Sequence, residues 1–239
     1  MILDTETAHP NLIISDDLKS VRLGNKWNRM PDNPERFDSC IIALGSPSFL
    51  SGRHYWEVEV GDKTAWVLGI CKTSISRKGS MTLSPEKGYW VVMMMKQNEY
   101  QVSTLPPIRL QMRMPPRRVG ILLDYMAGEI SFYNVTAKSH IYTFTSLPSS
   151  GPLQPIFSPG THDGAKNMGP LTICPVGGQV PHWMPCTLCL SSNSQPCVLS
   201  SYSTVIIVHI LGSGCFGKYN KSENSPCAPG AYGVVVEVS

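Results

Sequence analysis

The stretch SGRHYWEVEVG, residues 51–61, alternates apolar and polar side chains, and this alternation constrains the fold most strongly. Successive side chains of a β-strand point to opposite faces of the sheet. The pattern therefore predicts a strand that buries Trp56 and Val58 and exposes Glu57 and Glu59 to solvent.

The same stretch raises the question of a reaction centre, because His54, Glu57 and Glu59 lie close together in the sequence. A metal site or a general base with its orienting partner needs side chains that converge on one point. A strand instead places the two glutamates in a row on one face and His54 on the opposite face. The pattern favours the solvated face of a strand over a catalytic or metal-binding cluster.

Short apolar segments recur along the chain and indicate further strands. They are residues 65–70, 89–95, 119–125, 129–135, 140–145, 153–160 and 171–176. The turn GDKT suits a hairpin between the strand in 51–61 and the strand at 65–70. The turn MAG, with Gly128, suits a hairpin between 119–125 and 129–135. Ser84 and Pro85 indicate one helical turn between strands. Many short strands at regular spacing predict an all-β, two-layer antiparallel β-sandwich.

Composition excludes several classes of function. The chain has 239 residues, of which 42% are hydrophobic, so it can bury one sizeable core. Its net charge is +3 and it has no long Lys/Arg run, which argues against a dedicated nucleic-acid binder. No stretch approaches the roughly 20 apolar residues of a membrane-spanning helix. Without a signal-peptide pattern at the N-terminus, we expect a cytoplasmic or nuclear protein that does not enter the membrane.

The composition changes near Gly177. The segment 177–239 is rich in Ser, Cys and Pro, and its charged residues are Lys218, Lys221, Glu223 and Glu237. Few charges and little periodicity predict a C-terminal tail without stable structure rather than a second domain. Before this tail the chain holds Cys40, Cys71 and Cys174, an odd and scattered set that predicts reduced, buried thiols.

Two motifs in the tail resemble ligand-binding patterns. Gly212, Gly214 and Gly217 form G-x-G-x-x-G, but too few residues follow them to complete a nucleotide-binding fold. A weak metal candidate combines C-x-x-C with one residue on each side: His182, Cys186, Cys189 and Cys197. The set lacks the second cysteine pair of a strong zinc signal, and no catalytic motif appears elsewhere. We therefore expect no metal, no cofactor and no enzymatic activity in this chain.

Several ordered segments resemble the PRY-SPRY (B30.2) domain of tripartite-motif proteins, with most similarity to their Ro-like group. They run from LDTETAHP at residue 3 through AWVLGICK, LSPEKGYWVV and ILLDYMAGEISFYNV to LTICP, which ends at residue 175. The resemblance implies a PRY segment at 1–50 and an SPRY segment at 51–176 that share one β-sandwich. The tail, 177–239, has no counterpart in the family.

The resemblance also implies a function. Such domains are the target-recognition end of RING-type E3 ubiquitin ligases, in which RING, B-box and coiled-coil segments precede the sandwich. This chain shows none of those segments, so we expect it to bind a protein target of unknown identity without transferring ubiquitin. The parent protein is expected to dimerise through its coiled coil. Two alternatives are a fragment that acts as a ligase when RING is supplied elsewhere, and a butyrophilin-like sensor of small phosphorylated ligands.

Matching motif to motif places the recognition surface on a strand pair and one loop. The candidate ligand-binding residues are Val67, Met93, Met95, Thr161, His162 and Asp163. Relatives often carry aromatic and acidic residues at these points, whereas Val and Met provide a softer apolar surface here. The two methionines could instead be strand residues packed under a neighbouring loop. Trp56, Trp66, Trp90 and Phe132 are expected in the core.

Overall fold

Two antiparallel sheets form the molecule, and the computed structural model describes residues 1–26, 31, 33–176 and 180–184. Strands are numbered in chain order. Sheet A contains, in spatial order, β1 (Ile2–Asp4), β4 (Ala43–Ser46), β13 (Leu153–Ser158), β6 (Trp66–Lys72), β7 (Tyr89–Lys96), β8 (Glu99–Val102) and β9 (Ile108–Leu110). Sheet B contains β12 (Ser139–Phe144), β11 (Glu129–Asn134), β10 (Arg118–Asp124), β5 (Arg53–Glu59), β14 (Leu171–Cys174), β3 (Ser20–Leu23) and β2 (Leu12–Ile14).

The predicted all-β sandwich is confirmed, and each segment predicted as a strand is one. Strands β10 and β11 form the predicted hairpin, with Asp124 opposite Glu129 and Gly128 at a φ of 67°. A single 3-10 turn, Pro85–Lys87, lies where a helical turn was predicted. Ser84 precedes this turn, but its hydroxyl does not cap it.

The predicted hairpin between β5 and β6 is wrong. Strand β5 pairs with β10 and β14 in sheet B, whereas β6 pairs with β13 and β7 in sheet A. The turn between them therefore carries the chain from one sheet to the other. The same turn residues suit a hairpin and a connection between sheets equally well. Their chemistry favours a chain reversal but does not determine which strand the next segment pairs with.

The main core lies between the sheets and follows from the alternation in each strand. Trp56 and Trp66 are fully buried in it, together with Trp90 and Phe132, as predicted. Each sheet contributes every second side chain to this layer, which is the usual core of a face-to-face sandwich.

The prediction that Glu57 is exposed to solvent is wrong. Its residue surface is only 7% exposed, although Glu59 two residues on is exposed as predicted. Glu57 accepts a hydrogen bond of 2.7 Å from the Tyr55 hydroxyl and pairs with Arg118 at 3.3 Å. These partners satisfy a carboxylate that would be costly to bury alone.

His54 does not join the two glutamates in a cluster. Its ring stacks on Phe49 with centroids 3.8 Å apart, and its Nε2 lies 2.7 Å from the Ser51 carbonyl oxygen. The strand interpretation of the HYWEVEV segment is therefore confirmed.

A second, smaller cluster lies on the outer face of sheet A. Its buried members are Phe37, Ile42, Leu44, Cys71, Tyr89, Val91, Met93 and Ile156. Leu44, Ile156 and Val91 come from strands, whereas Phe37 and Ile42 come from the connection before β4. Part of this outer face is thus covered by the chain's own connections.

The cysteines of the described residues are free thiols: Cys71 and Cys174 are buried and Cys40 is half-buried. Burial raises the pKa of Cys71 to about 12, so its thiol stays protonated at neutral pH. The predicted tail begins at Gly177, and most of it lies outside the described residues. Residues 180–184 are described, and two of them, Trp183 and Met184, pack on sheet B. In the described part of the chain, no helix is long and apolar enough to cross a membrane.

Candidate protein-binding surface

A row of side chains crosses the outer face of sheet A near one end of β6. The register places Ser158 opposite Val67, Val67 opposite Met93, Met93 opposite Gln101, and Gln101 opposite Arg109. Directly opposed residues of antiparallel strands point to the same face. Two of the predicted site residues, Val67 and Met93, are therefore direct neighbours.

The two predicted methionines of β7 differ sharply in exposure. Met93 is 5% exposed and belongs to the second cluster, and its sulfur accepts a 3.4 Å contact from Gln101 Nε2. Met95 is 57% exposed. The pairing of β7 with β8 shifts register between Met94 and Lys96, so Met95 lies in a β-bulge. A bulge redirects the side chain it carries, which explains why Met95 projects into solvent.

The loop that follows β13 carries the other predicted residues, and buried Asn167 holds it in shape. The Asn167 Nδ2 group donates to the carbonyl oxygens of Ala65, Pro159 and Thr161 at 2.7–3.0 Å. Its Oδ1 accepts from the Thr64 backbone N–H at 2.9 Å. One buried amide therefore ties the loop to the segment that enters β6.

Gly160 makes the close approach of these two segments feasible. Its φ is +71°, and an added Cβ would lie 2.7 Å from the Ala65 carbonyl oxygen. A side chain at this position would be strained and would collide with backbone. The glycine in the FSPG segment thus sets the start of the loop.

Of the three predicted loop residues, two are tied to the scaffold. His162 Nε2 lies 3.3 Å from the Leu23 carbonyl oxygen at the end of β3. Asp163 accepts a 2.8 Å hydrogen bond from the Thr64 hydroxyl and has a φ of 48°. Thr161 exposes its side chain, while its carbonyl accepts from Asn167.

Lys63 stabilises the same loop through hydrogen bonds to its carbonyl oxygens, and the sequence did not predict this role. Its buried ammonium donates to the carbonyl oxygens of Gly169 at 2.7 Å and Asn167 at 3.4 Å. Burial lowers the pKa of Lys63 to about 8. No periodic signal marks Lys63 or Asn167, because both lie in polar loops where solvent exposure is the usual expectation.

Strand pairing brings Met95 and the loop to the same end of β6. Met94 pairs with Trp66, the first residue of β6, and Asn167 binds the adjacent Ala65. We call Val67, Met93, Met95 and the loop residues 161–163 the sheet A surface. It combines a projecting apolar side chain with a loop fixed by buried hydrogen bonds. Such a surface suits contact with another protein, since apolar anchors beside rigid polar loops are common at interfaces.

The predicted metal candidate cannot be assembled from the described residues. His182 is exposed, and Cys186, Cys189 and Cys197 lie outside the described part of the chain, as does the G-x-G-x-x-G motif. Among the residues that are described, no group of three or more His, Cys, Asp or Glu side chains could hold a metal ion.

These features define a class of protein: a two-layer antiparallel β-sandwich whose loops frame an exposed surface at one end of a sheet. The SPRY-associated domain (PRY) matches residues 1–49, and the SPRY domain matches residues 53–172. The chain therefore belongs to the PRY-SPRY family.

Human pyrin is 78% identical to the chain over 181 residues, which cover 76% of this chain and 23% of pyrin. Human erythroid membrane-associated protein is 56% identical over 172 residues, or 72% of this chain and 36% of that protein. Human E3 ubiquitin-protein ligase TRIM68 is 50% identical over 178 residues, or 74% of this chain and 37% of the ligase. The chain thus spans about a quarter to somewhat over a third of these relatives.

Solved structures agree with the fold. The TRIM65 PSpry domain superposes with a TM-score of 0.62 at 23% identity, covering 73% of this chain and 90% of that one. The stonustoxin structure gives the same TM-score, 0.62, at 28% identity, covering 72% of this chain and 28% of the toxin chain. Both support the sandwich architecture.

Proposed function

We propose that this chain is a target-recognition module that binds a protein partner through the sheet A surface. The observation that carries the proposal is the exposure of Met95 in a β-bulge beside a loop fixed by Asn167. A projecting methionine adapts its shape to different apolar partners, and the ordered loop beside it provides polar contacts at little entropic cost.

Burial in the second cluster distinguishes the residues that support the surface from those that contact the partner. Because Met93 is buried and Val67 half-buried, these two residues support the surface rather than contact the partner extensively. Met95 and the exposed side chain of Thr161 are then the principal contacts. Lys96, Glu99 and Arg109 are exposed near the same strands and give the rim mixed charge. A polar rim around an apolar anchor is typical of protein interfaces.

The proposal assigns binding to this chain and leaves ubiquitin transfer to other segments. One relative is named an E3 ubiquitin-protein ligase, and the chain covers 37% of it. In a longer protein that also carries a RING segment, the module would deliver its bound partner for ubiquitin transfer. The chain alone would then capture the partner without modifying it.

Affinity capture with matched variants tests the proposal. Met95→Asp places a charge on the proposed anchor, whereas Met126→Asp places the same charge on a methionine that is 78% exposed in the β10–β11 hairpin. We expect the wild-type chain and Met126→Asp to retain the same partners from cell extract, and Met95→Asp to lose them at least about tenfold. Equal retention by all three chains would refute the proposed surface. Near-ultraviolet circular dichroism verifies that both variants remain folded.

A further inference from the structure

The outer face of sheet B contains a second row of opposed residues. This row and the sheet A surface belong to different sheets. The register aligns His140, Tyr133, Gly120, Glu57 and Cys174 across β12, β11, β10, β5 and β14. The middle residue of this row has no side chain. A notch therefore opens at Gly120 between Tyr133 and Glu57.

The walls of the notch are fixed and their polar groups are paired. An added Cβ at Gly120 would lie 2.7 Å from the Tyr55 hydroxyl oxygen and 3.1 Å from a methyl group of Val135. The Tyr55 hydroxyl donates to Glu57, and Glu57 pairs with Arg118. Burial raises the pKa of Tyr55, so the hydroxyl keeps its proton and this hydrogen bond. The notch is therefore bounded by aromatic side chains, a methyl group, bare backbone and the paired hydroxyl of Tyr55.

A short turn of the same chain occupies the notch. The Met184 backbone N–H donates to the Pro181 carbonyl at 3.0 Å, which closes the turn. The Met184 methyl carbon lies 3.2 Å from the position of a Cβ at Gly120, and Met184 is only 5% exposed. Beside it the Trp183 ring packs edge-on against Tyr133, with centroids 6.1 Å apart and planes at 79°. Aromatic rings favour this geometry, and methionine fills irregular apolar gaps.

The turn is held by its side chains. Within the described residues, no strand pairing joins 180–184 to sheet B, and the backbone hydrogen bond of the turn is internal. The strands that build the notch lie almost entirely inside residues 53–172, which match the SPRY domain, whereas the turn lies beyond them. The notch thus belongs to the sandwich, and its occupant is an element outside the matched segment that no strand pairing joins to it.

We propose that the Gly120 notch is a peptide-binding site for an apolar turn with an aromatic residue followed by methionine, and that Trp183-Met184 is its intramolecular occupant. The site is independent of the sheet A surface, and neither proposal requires the other.

The test uses the full chain and a capped peptide of residues 180–184, VPHWM. In the wild type the intramolecular turn competes with the peptide at a local concentration of about millimolar or more, because only residues 177–180 separate it from Val176. The double variant W183A/M184A removes this competitor. We expect isothermal titration calorimetry to show that the double variant binds VPHWM at least about tenfold more tightly than the wild type. The peptide VPHAA should bind neither chain.

Two further variants locate the binding on the notch. Gly120→Ala and Tyr133→Leu, each added to W183A/M184A, should abolish peptide binding. Met126→Ala, added to the same double variant, should leave peptide binding unchanged. Tyr133→Leu keeps the test valid if Gly120→Ala does not fold, because it preserves apolar bulk. No binding to W183A/M184A, or equal binding to this variant and the wild type, would overturn the proposal. Dimerisation of the wild type that W183A/M184A abolishes would also overturn it, since the turn would then occupy a second copy.

Discussion

Single buried polar residues decide the shape of the candidate surface. Asn167 binds three carbonyl oxygens through one amide group, and Lys63 supports the next carbonyls of the same loop. The sequence shows both as ordinary polar loop residues, so neither could be predicted as buried. A hydrogen-bond network inside a loop depends on backbone geometry that no side-chain pattern encodes.

Lys63 should make stability depend on pH in a defined direction. Burial lowers its pKa from 10.5 to about 8 in the folded state. Below pH 8 the group is charged in both states, and folding carries the desolvation cost. Between pH 8 and 10.5 the unfolded chain holds a proton that the folded chain has lost, so this residue's contribution to stability rises with pH.

Lys63→Met removes this titration, although it also removes two hydrogen bonds at every pH. We expect the difference in unfolding free energy between wild type and Lys63→Met to grow by on the order of 1–2 kcal/mol from pH 7 to pH 9.5. Urea unfolding at both pH values measures it. Lys166→Met, at an exposed lysine of the same loop, is the control and should show no such growth. A constant difference for Lys63→Met would contradict the assignment.

At the level of elements, strand β7 shows what alternation can and cannot predict. The pattern correctly identified the strand and put Met93 and Met95 on one face. It could not show that Phe37 and Ile42, distant in sequence, cover that face only as far as Met93. The bulge at Met95 was equally hidden. Several of the strands of three or four residues, such as β1 and β2, were missed because they are too short to show a period, although the four-residue β14 was predicted.

The two methionines should therefore respond very differently to truncation. Met93→Ala should lower the free energy of unfolding by about 2–4 kcal/mol, because it leaves a cavity in the second cluster. Met95→Ala should change it by less than about 0.5 kcal/mol, since its side chain is already in solvent. Urea unfolding of the wild type and both variants provides the comparison. Similar destabilisation by both changes would mean that Met95 is buried in solution and unavailable to a partner.

For the whole molecule, the fold class followed from alternation and from the ordered motifs, and the structure confirms it. The assignment of strands to sheets did not follow, since the chain crosses between sheets after β5 where a hairpin was predicted. The burial of Glu57 was also unexpected, because its partners Tyr55 and Arg118 cannot be identified from the alternation of the strand. The resulting molecule has one outer face partly open at Met95 and another occupied by the Pro181–Met184 turn.

The central claim is that a protein partner binds at the sheet A surface. Hydrogen–deuterium exchange, measured with and without the partner retained in the capture experiment, tests it most directly. The claim predicts slower exchange in peptides covering residues 94–98 and 161–166, and unchanged exchange along β11 and β12 of sheet B. Slower exchange confined to β11 and β12, with 94–98 and 161–166 unchanged, would contradict it.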